Sequence, residues 1–351
     1  MTSSHLIYLG TYTKTSSRGI YSVRLVPGTG ALSEPALAAA TGSPTFIAFS
    51  QDRERLYAVR DTKAMVAAFS VDSQAGLLSE LPSPPSDAAG APCHVAVHAS
   101  GRALVVANYH SGVIAAIQLG KNGAVGEAKT ILHSGHSVHP TRQTSAHPHS
   151  ATISPDGRFV IVCDLGLDRI YSYRFDAGRA EMSPANRPFL ATEPGAGPRH
   201  FAFSHCGSRG YAINELANTI VAHDYNPEDG TLVPFQTVST LPPGFAGESI
   251  AAEIRVHPNG RFIYGSNRGH DSIALFAVDP ASGALSSVDC VPAGGKGPRN
   301  FALSPDGLWL VCAHQDSDSL CVFRVNPATG RLDRAGGTIP LAMPVCVLFH
   351  G

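Results

Sequence analysis

Charged residues are scarce in this sequence. Asp, Glu, Lys and Arg make up 15% of its 351 residues, whereas about 25% is usual in soluble domains. The 26 basic and 27 acidic residues nearly cancel, so the net charge is -1 at pH 7. A chain without an overall field is not drawn to phosphate backbones or to anionic lipid. We therefore expect neither a nucleic-acid partner nor a membrane partner.

Long apolar runs are also missing. No run approaches the roughly 18 residues of a membrane-spanning helix. The first residues, MTSSHLIYLGTYT, lack the basic region, apolar region and cleavage site of a secretory signal. The seven cysteines are odd in number and widely spaced, and no CxxC pair occurs. These features predict a cytoplasmic protein whose cysteines are buried thiols rather than disulfides or zinc ligands.

Several catalytic motifs are absent as well. The sequence has no GxSxG, no P-loop, no GxGxxG followed by a helix and no HExxH, which excludes serine hydrolysis at a nucleophile elbow, nucleotide transfer and zincin chemistry. The motif HPHS at residues 147–150 places two histidines at positions i and i+2. Such residues face opposite sides of a strand, so we expect no chelated metal there.

What the sequence does contain is a repeat. Its 35 glycines and 26 prolines separate short apolar runs, which indicates many turns and few long helices. A turn of the type SPDGR recurs between two apolar runs. The residues that begin these turns are 47 to 56 positions apart: Ser50, His98, Ser154, Ser204, His257 and Ser304. Periods of about this size, with four strands in each repeat, are typical of β-propellers.

A seventh repeat can be assembled from both ends of the chain. The run MPVCVLFH would supply its inner strand, and HLIYLGTYT and GIYSVRLV the next two. This splice closes the ring and leaves no exposed edge strand where the ends meet. We predict an all-β fold with one domain over residues 1–351, a seven-bladed β-propeller whose last blade is closed by N- and C-terminal strands. Residues 120–146 should form its main elaboration.

Blade geometry predicts where polar side chains converge. The inner strand crosses the ring, the SPDGR turn reverses the chain and the second strand returns. Residues just before first strands and just after second strands therefore share one mouth of the central channel. Those before first strands are Cys93, His94, His147, His149, Arg199, His200, Glu253, Arg299 and Asn300. Those after second strands are Asn108, Tyr109, His110, Asp164, Asn214, Glu215, Asn267, Arg268, His314, Gln315 and Asp316. This mixture suits acid–base chemistry on an anionic, oxygen-rich substrate.

Each of these residues also has a structural interpretation. The histidines can cap strands or bond between blades, and Arg199 and Arg299, which both follow Gly-Pro, can act as structural pegs. Asn108, Asn214 and Asn267 recur at one blade position, where they can satisfy loop backbone instead of substrate. The functional interpretation is favoured for four residues: His147, His149, Glu215 and Arg268.

The motifs AHPHSATISPDGR, GAGPRHFAFS, YAINELANTI, GRFIYGSNRGHDSI and GPRNFALSPDG occur in this order. Together they resemble the seven-bladed propeller lactonase family, which includes bacterial cytoplasmic 6-phosphogluconolactonases and is similar to fungal carboxy-cis,cis-muconate cyclases. The resemblance covers essentially the whole chain. It implies hydrolysis of 6-phospho-D-glucono-1,5-lactone to 6-phosphogluconate in the oxidative pentose phosphate pathway, without a cofactor.

The resemblance also implies a site. The family's His, Arg, Glu and second Arg fall on His149, Arg199, Glu215 and Arg268, which we take as the catalytic residues. Either His149 or Glu215 would be the base, with the other as acid or orienting group, and the two arginines would stabilise the oxyanion or bind the 6-phosphate. The expected substrate-binding residues are His147, His200, Arg299, Asn214, Asn267 and Glu253, of which Arg299 and His200 are second-rank phosphate candidates.

Two other functions stay open. A cyclase or lactonase of the same family could act on carboxymuconate or on an unphosphorylated sugar lactone, with the arginines binding carboxylates. A propeller without catalytic activity could bind protein partners instead, but one Trp and 7% aromatic residues disfavour an aromatic docking face. We expect an enzyme whose partner is a small, phosphorylated sugar lactone. Because the ring is closed, we also expect the protein to be stable as a monomer.

Overall fold

The computed structural model describes residues 4–60, 66–83 and 90–351, and in these ranges the chain is almost entirely β-strand. The strands form seven four-stranded antiparallel sheets, which confirms the predicted seven-bladed propeller. The one helix in these ranges is a single 3₁₀ turn at Leu165–Leu167. None of the described segments forms a helix with the length and apolar composition needed to cross a membrane.

We number the blades in chain order, so that blade 7 contains both ends. The chain begins with three strands of blade 7, namely β1 (His5–Thr11), β2 (Gly19–Leu25) and β3 (Ala36–Ala40). Blade 1 follows with β4 (Ile47–Phe49), β5 (Arg55–Val59), β6 (Val66–Asp72) and β7 (Leu77–Glu80). Blade 2 has β8 (Pro92–Val97), β9 (Ala103–Asn108), β10 (Val113–Leu119) and β11 (Val125–Leu132). Blade 3 has β12 (Pro148–Ile153), β13 (Phe159–Asp164), β14 (Arg169–Asp176) and β15 (Glu181–Ala191).

The second half of the ring repeats the plan. Blade 4 consists of β16 (Pro198–Phe203), β17 (Arg209–Asn214), β18 (Thr219–Asn226) and β19 (Thr231–Ser239). Blade 5 consists of β20 (Ile250–Val256), β21 (Phe262–Arg268), β22 (Ser272–Val278) and β23 (Leu285–Pro292). Blade 6 consists of β24 (Pro298–Leu303), β25 (Trp309–His314), β26 (Ser319–Val325) and β27 (Leu332–Pro340). The last strand of the ring is β28 (Pro344–Phe349).

Blade 7 is closed as the sequence predicts. Its strand order is β28-β1-β2-β3, with Ile7 opposite Phe349 and Leu9 opposite Val347. The inner strands β4, β8, β12, β16, β20, β24 and β28 each contact the next around the ring, and β28 contacts β4 again. The pairing of β1 with β28 therefore joins the two ends of the chain within blade 7, and this closes the ring.

Burial explains the hydrophobic pattern of the strands. In a blade the second strand has a neighbouring blade on each face, and every residue of β9 and β13 is buried. Strands covered on both faces are nearly continuous apolar runs, as in ALVVAN and FVIVCD. The outermost strand is covered on one side, and in β11 partly buried residues are interspersed with exposed ones.

The hydrophobic core is divided among the contacts between blades. Seven clusters of buried residues lie at the seven interfaces between neighbouring blades. A hydrogen bond repeats at three of them: the hydroxyls of Tyr57, Tyr211 and Tyr264 donate to the carbonyl oxygens of Gly123, Gly283 and Gly330 at 3.1, 3.0 and 2.7 Å. Each glycine lies in a turn of the following blade, so these bonds fix adjacent blades to each other.

We expect truncation of buried side chains in blade 7, which closes the ring, to destabilise the fold. Leu9 is fully buried in β1, and truncation of a buried leucine costs about 2–5 kcal/mol of unfolding free energy. We expect Leu9→Ala to lower the urea midpoint clearly. Leu77→Ala is the matched control, because Leu77 is 49% exposed and such positions change stability by about 0.5 kcal/mol or less. Equal midpoints for the two variants would contradict the role of the closure.

Candidate functional site

The starts of the first strands and the ends of the second strands meet at one end of the channel, which we call the upper mouth. The SPDGR turns lie at the opposite end. A cavity of about 310 Å³ occupies the upper mouth. Its lining comes from strands and connections all around the ring: Tyr12, Lys14, Thr45, Ala91, Pro92, Cys93, Tyr109, His110, Arg142, His149, Glu215, Arg268 and Arg299. Four of the ten predicted site residues are in this lining: His149, Glu215, Arg268 and Arg299.

Glu215 is the centre of the polar network in this cavity. It follows β17, and its backbone nitrogen donates to the Gly197 carbonyl at 2.7 Å, which fixes the turn. One carboxylate oxygen, Oε2, accepts hydrogen bonds from Arg199 Nε at 2.8 Å and from Arg268 Nη2 at 2.7 Å. The other, Oε1, accepts from Arg142 Nη2. Three guanidinium groups therefore converge on one buried carboxylate.

The charges around Glu215 determine its protonation state. Burial alone would raise the pKa of the carboxyl group, but the positive charges of Arg268, Arg199 and Arg142 outweigh burial and hold the pKa well below its usual range. The same environment lowers the pKa of Arg268 to about 9, with burial as the largest cause. Glu215 is consequently ionised at neutral pH and is a weak proton acceptor.

The three arginines are held from different parts of the ring. Arg199 Nη1 donates to the Ala252 carbonyl at 2.6 Å, and Arg268 Nη2 donates to the Ala251 carbonyl at 3.0 Å, so both rest on the backbone of β20. Arg142 instead comes from the connection between β11 and β12, and its side chain is 34% exposed. These contacts fix two guanidinium groups rigidly and leave the third closer to solvent.

Sequence reasoning missed Arg142. It lies in segment 133–147, which has no counterpart in the other blades, so neither the repeat nor the resemblance pointed to it. The one available signal was that residues 120–146, the predicted elaboration, include this arginine and directly precede the strand that carries His149. Tyr12 and Lys14 were missed because blade 7 is split between the ends of the chain, and Thr45 because it precedes the short first strand of blade 1.

His149 lies near the start of β12 with its side chain buried against the cavity. Among the described residues, no group hydrogen-bonds to its Nδ1 atom. Burial is the largest cause that lowers its pKa well below 6.5, and the positive charges of Arg199, Arg299 and Arg268 act in the same direction. The imidazole is therefore neutral at physiological pH and free to accept a proton.

A second polar group lies beneath the cavity. His200 Nδ1 is 3.1 Å from Glu253 Oε1, and its Nε2 is 3.2 Å from Arg199 Nη1. Asn300 Nδ2 donates to the other oxygen of Glu253. Burial lowers the pKa of His200 to about 4. Burial alone would raise the pKa of Glu253, but Arg255 and His200 hold it at about 2. His200 and Glu253 thus support Arg199 from below.

Three predicted residues make backbone or neighbouring side-chain contacts. His147 stacks on the Tyr109 ring at 4.3 Å between centroids, and its Nδ1 is 2.8 Å from the Tyr109 carbonyl. Asn214 Nδ2 donates to Thr219 Oγ1 at 3.0 Å. Asn267 Nδ2 donates to the Thr240 carbonyl at 2.9 Å. Within the described ranges all three lie outside the cavity lining, and His147 orients Tyr109, which is part of it.

The remaining predicted residue, Arg299, lies across the cavity at the start of β24. Its guanidinium carbon is 5.7 Å from the centroid of the Tyr12 ring. Lys14 Nζ is 4.7 Å from the same centroid. In the part of the chain that the structure describes, no group of three or more His, Cys, Asp or Glu side chains is arranged to hold a metal ion.

The chain is similar to known proteins over its whole length. A family model described as Lactonase, 7-bladed beta-propeller matches residues 6–349. The 6-phosphogluconolactonase of Bacillus subtilis is 37% identical over 350 residues, 99% of each chain. The structure of the periplasmic gluconolactonase of Pseudomonas aeruginosa aligns with a TM-score of 0.92 at 32% identity, covering 99% of each chain. A crystal structure of a Lactobacillus plantarum protein aligns with a TM-score of 0.90 at 31% identity, again over 99% of each.

The buried histidines of the channel make stability depend on pH. The ring centroids of His94 and His149 are 5.4 and 5.3 Å from that of His200, and burial lowers the pKa of all three. Unfolding restores a pKa near 6.5. The unfolded chain therefore binds more protons than the folded chain below pH 6.5. The contribution of these histidines to the free energy of unfolding is fully present above that pH and is lost as the pH falls towards 4.

We expect His94→Gln to reduce this dependence. Removing one of the three imidazoles should lower the slope of unfolding free energy against pH, between about pH 6 and 4.5, by up to about 1.4 kcal/mol per pH unit. Urea titrations at a series of pH values measure the slope directly. A slope identical to that of the unmodified protein would show that His94 is already charged in the folded state.

Proposed function

The chain belongs to the seven-bladed β-propeller lactonase family, and we propose that it hydrolyses 6-phospho-D-glucono-1,5-lactone to 6-phosphogluconate at the upper mouth. The observation that carries this proposal is the neutral His149 beside three arginines held on one carboxylate. The name of the Bacillus subtilis relative supports the phosphorylated substrate. The reaction would take place in the oxidative pentose phosphate pathway. Phosphorylated sugars do not cross lipid unaided, so we propose a cytoplasmic enzyme.

His149 suits the role of general base better than Glu215 does. A proton on Glu215 would disrupt ion pairs with three arginines, whose charges keep the carboxyl ionised. His149 is neutral and its Nδ1 atom has no described partner. We therefore assign proton transfer to His149 and positioning of the guanidinium groups to Glu215.

The reaction can be written with these residues alone. A water oxygen attacks the lactone carbonyl carbon while His149 takes one of its protons, and a new carbon–oxygen bond forms. The carbonyl oxygen becomes an oxyanion beside Arg268 and Arg142, which offer charged donors at the cavity surface. The bond between the carbonyl carbon and the ring oxygen then breaks. The imidazolium returns its proton to the departing ring oxygen, and the product acid ionises in water.

The lowered pKa of His149 favours both proton transfers of the reaction. A neutral imidazole is present at pH 7 to accept the proton, and the imidazolium formed beside several arginines is a strong acid that readily protonates the ring oxygen. The ring is closed by pairing of the first and last strands of one chain, so we propose that a monomer is active.

Hydrolysis of freshly prepared 6-phosphogluconolactone, coupled to 6-phosphogluconate dehydrogenase, tests the proposal against spontaneous ring opening. We expect His149→Gln to lower kcat by about 100- to 10,000-fold, the usual loss when a general base is removed. His136→Gln is the matched control, because His136 is exposed on the connection between β11 and β12 and is not part of the cavity lining, so its loss should leave kcat unchanged.

Three results would count against the assignment. Wild-type kcat in His149→Gln would exclude this residue as the base. No rate above spontaneous opening would overturn the lactonase reaction with this substrate. Faster opening of unphosphorylated gluconolactone would favour the activity named for the Pseudomonas aeruginosa neighbour.

The pH profile of kcat gives an independent test. The base must be neutral, so activity is lost as the pH falls through the pKa of His149. Because that pKa lies well below 6.5, kcat should stay level from pH 7.5 to pH 6.5 and fall only at lower pH. An ordinary histidine would halve kcat near pH 6.5, and that profile would contradict the environment described for His149.

A further inference from the structure

The charge in the cavity is unbalanced. Among the described lining residues, Lys14, Arg142, Arg268 and Arg299 are cationic and Glu215 is the one carboxylate, so the lining carries a formal charge of +3. The whole chain carries -1. A positive field concentrated in one cavity attracts anions of matching size.

The cations fall into two groups. Arg142 and Arg268 hydrogen-bond to Glu215. No described carboxylate lies within ion-pair distance of Lys14 or Arg299. Both lie over the ring of Tyr12, at 4.7 and 5.7 Å from its centroid, where the electron-rich face favours a cation. The backbone nitrogen of Tyr12 donates to the Met343 carbonyl at 3.0 Å, which anchors the backbone that carries this ring.

The position of Glu215 determines which of these two pairs of cations is better suited to bind a phosphate. A phosphate placed on Arg268 or Arg142 would share these groups with the ionised carboxylate of Glu215, whose repulsion is greater for a phosphate dianion than for the single charge of the oxyanion. A phosphate that contacts Arg299 and Lys14 in the cavity that both line meets two cations without a described ion-pair partner. Arg299 is also close enough to His149 for its charge to act on that imidazole, so a ligand could reach both.

We propose that Arg299 and Lys14, held on the face of Tyr12, form the subsite for the phosphate monoester of the substrate. This inference rests on the proposed function and goes further, because it separates the groups that bind the phosphate from those that act on the lactone carbonyl. At neutral pH a phosphate monoester carries a charge of about -1.5 to -2. It presents three oxygens that a guanidinium fork and an ammonium can share.

The binding experiment does not depend on turnover. Isothermal titration measures the affinity of the full chain for 6-phosphogluconate and for gluconate, which differ in the phosphate alone. We expect tighter binding of 6-phosphogluconate. Arg299→Gln should reduce the ratio of the two affinities by about 10- to 100-fold, and Lys14→Gln by about 5-fold, because Lys14 is exposed.

Two further variants serve as controls. Arg299→Lys keeps a cation without the fork and should retain part of the preference. Lys121→Gln removes an exposed cation from the turn between β10 and β11, at the opposite end of the ring, and should leave the ratio unchanged. Circular dichroism and the thermal midpoint establish that each variant is folded.

The outcomes separate this inference from the proposed function. Equal affinities for the two ligands, or an unchanged ratio in Arg299→Gln, would overturn the subsite even if the lactone is hydrolysed. The preference for 6-phosphogluconate over gluconate could instead be lost in Arg268→Gln and kept in Arg299→Gln. That result would place the phosphate on the other side of the cavity and would also overturn the proposed subsite. A phosphate preference that depends on Arg299, without hydrolysis, would support the subsite and refute the reaction.

Discussion

The pairing of β1 with β28 is the interaction on which the rest of the molecule depends. Each blade buries its apolar faces against its two neighbours, so no blade is complete until the ring is. The cavity depends on the same pairing. Its lining comes from residues far apart in sequence, and they face one another because seven inner strands surround one channel. Closure therefore creates the core and the site together.

The site places several charged side chains in a buried environment, and each of them is paired. Burying one carboxylate and two arginines is costly unless each charge has partners. Glu215 has three arginine partners, and two of these also donate to backbone carbonyl oxygens of blade 5. Burial, together with the positive charges of Arg199, Arg299 and Arg268, lowers the pKa of His149 and so keeps this histidine neutral. Donors are thus fixed in place before a ligand arrives, which is how preorganised sites stabilise developing negative charge.

The sequence predicted the fold better than the site, for a physical reason. Strand burial and turn chemistry repeat in every blade, so the period, the closure and the shared mouth follow from patterns such as SPDGR. The carboxylate with its arginines does not repeat. Arg142 lies in a connection unique to blade 2, and no local pattern indicates that it reaches Glu215. His147 and Asn267 share the expected mouth but make their contacts with protein groups, because a position in a blade does not fix which way a side chain turns.

The repeated blade position has an evolutionary consequence. Some of the residues that open first strands and follow second strands face the cavity, as His149, Glu215, Arg268 and Arg299 do. Their side chains lie outside the apolar clusters between blades. Duplication of one blade-sized unit would supply seven equivalent places for new side chains. Different side chains at these places would change the charge and shape of the cavity without changing the path of the backbone.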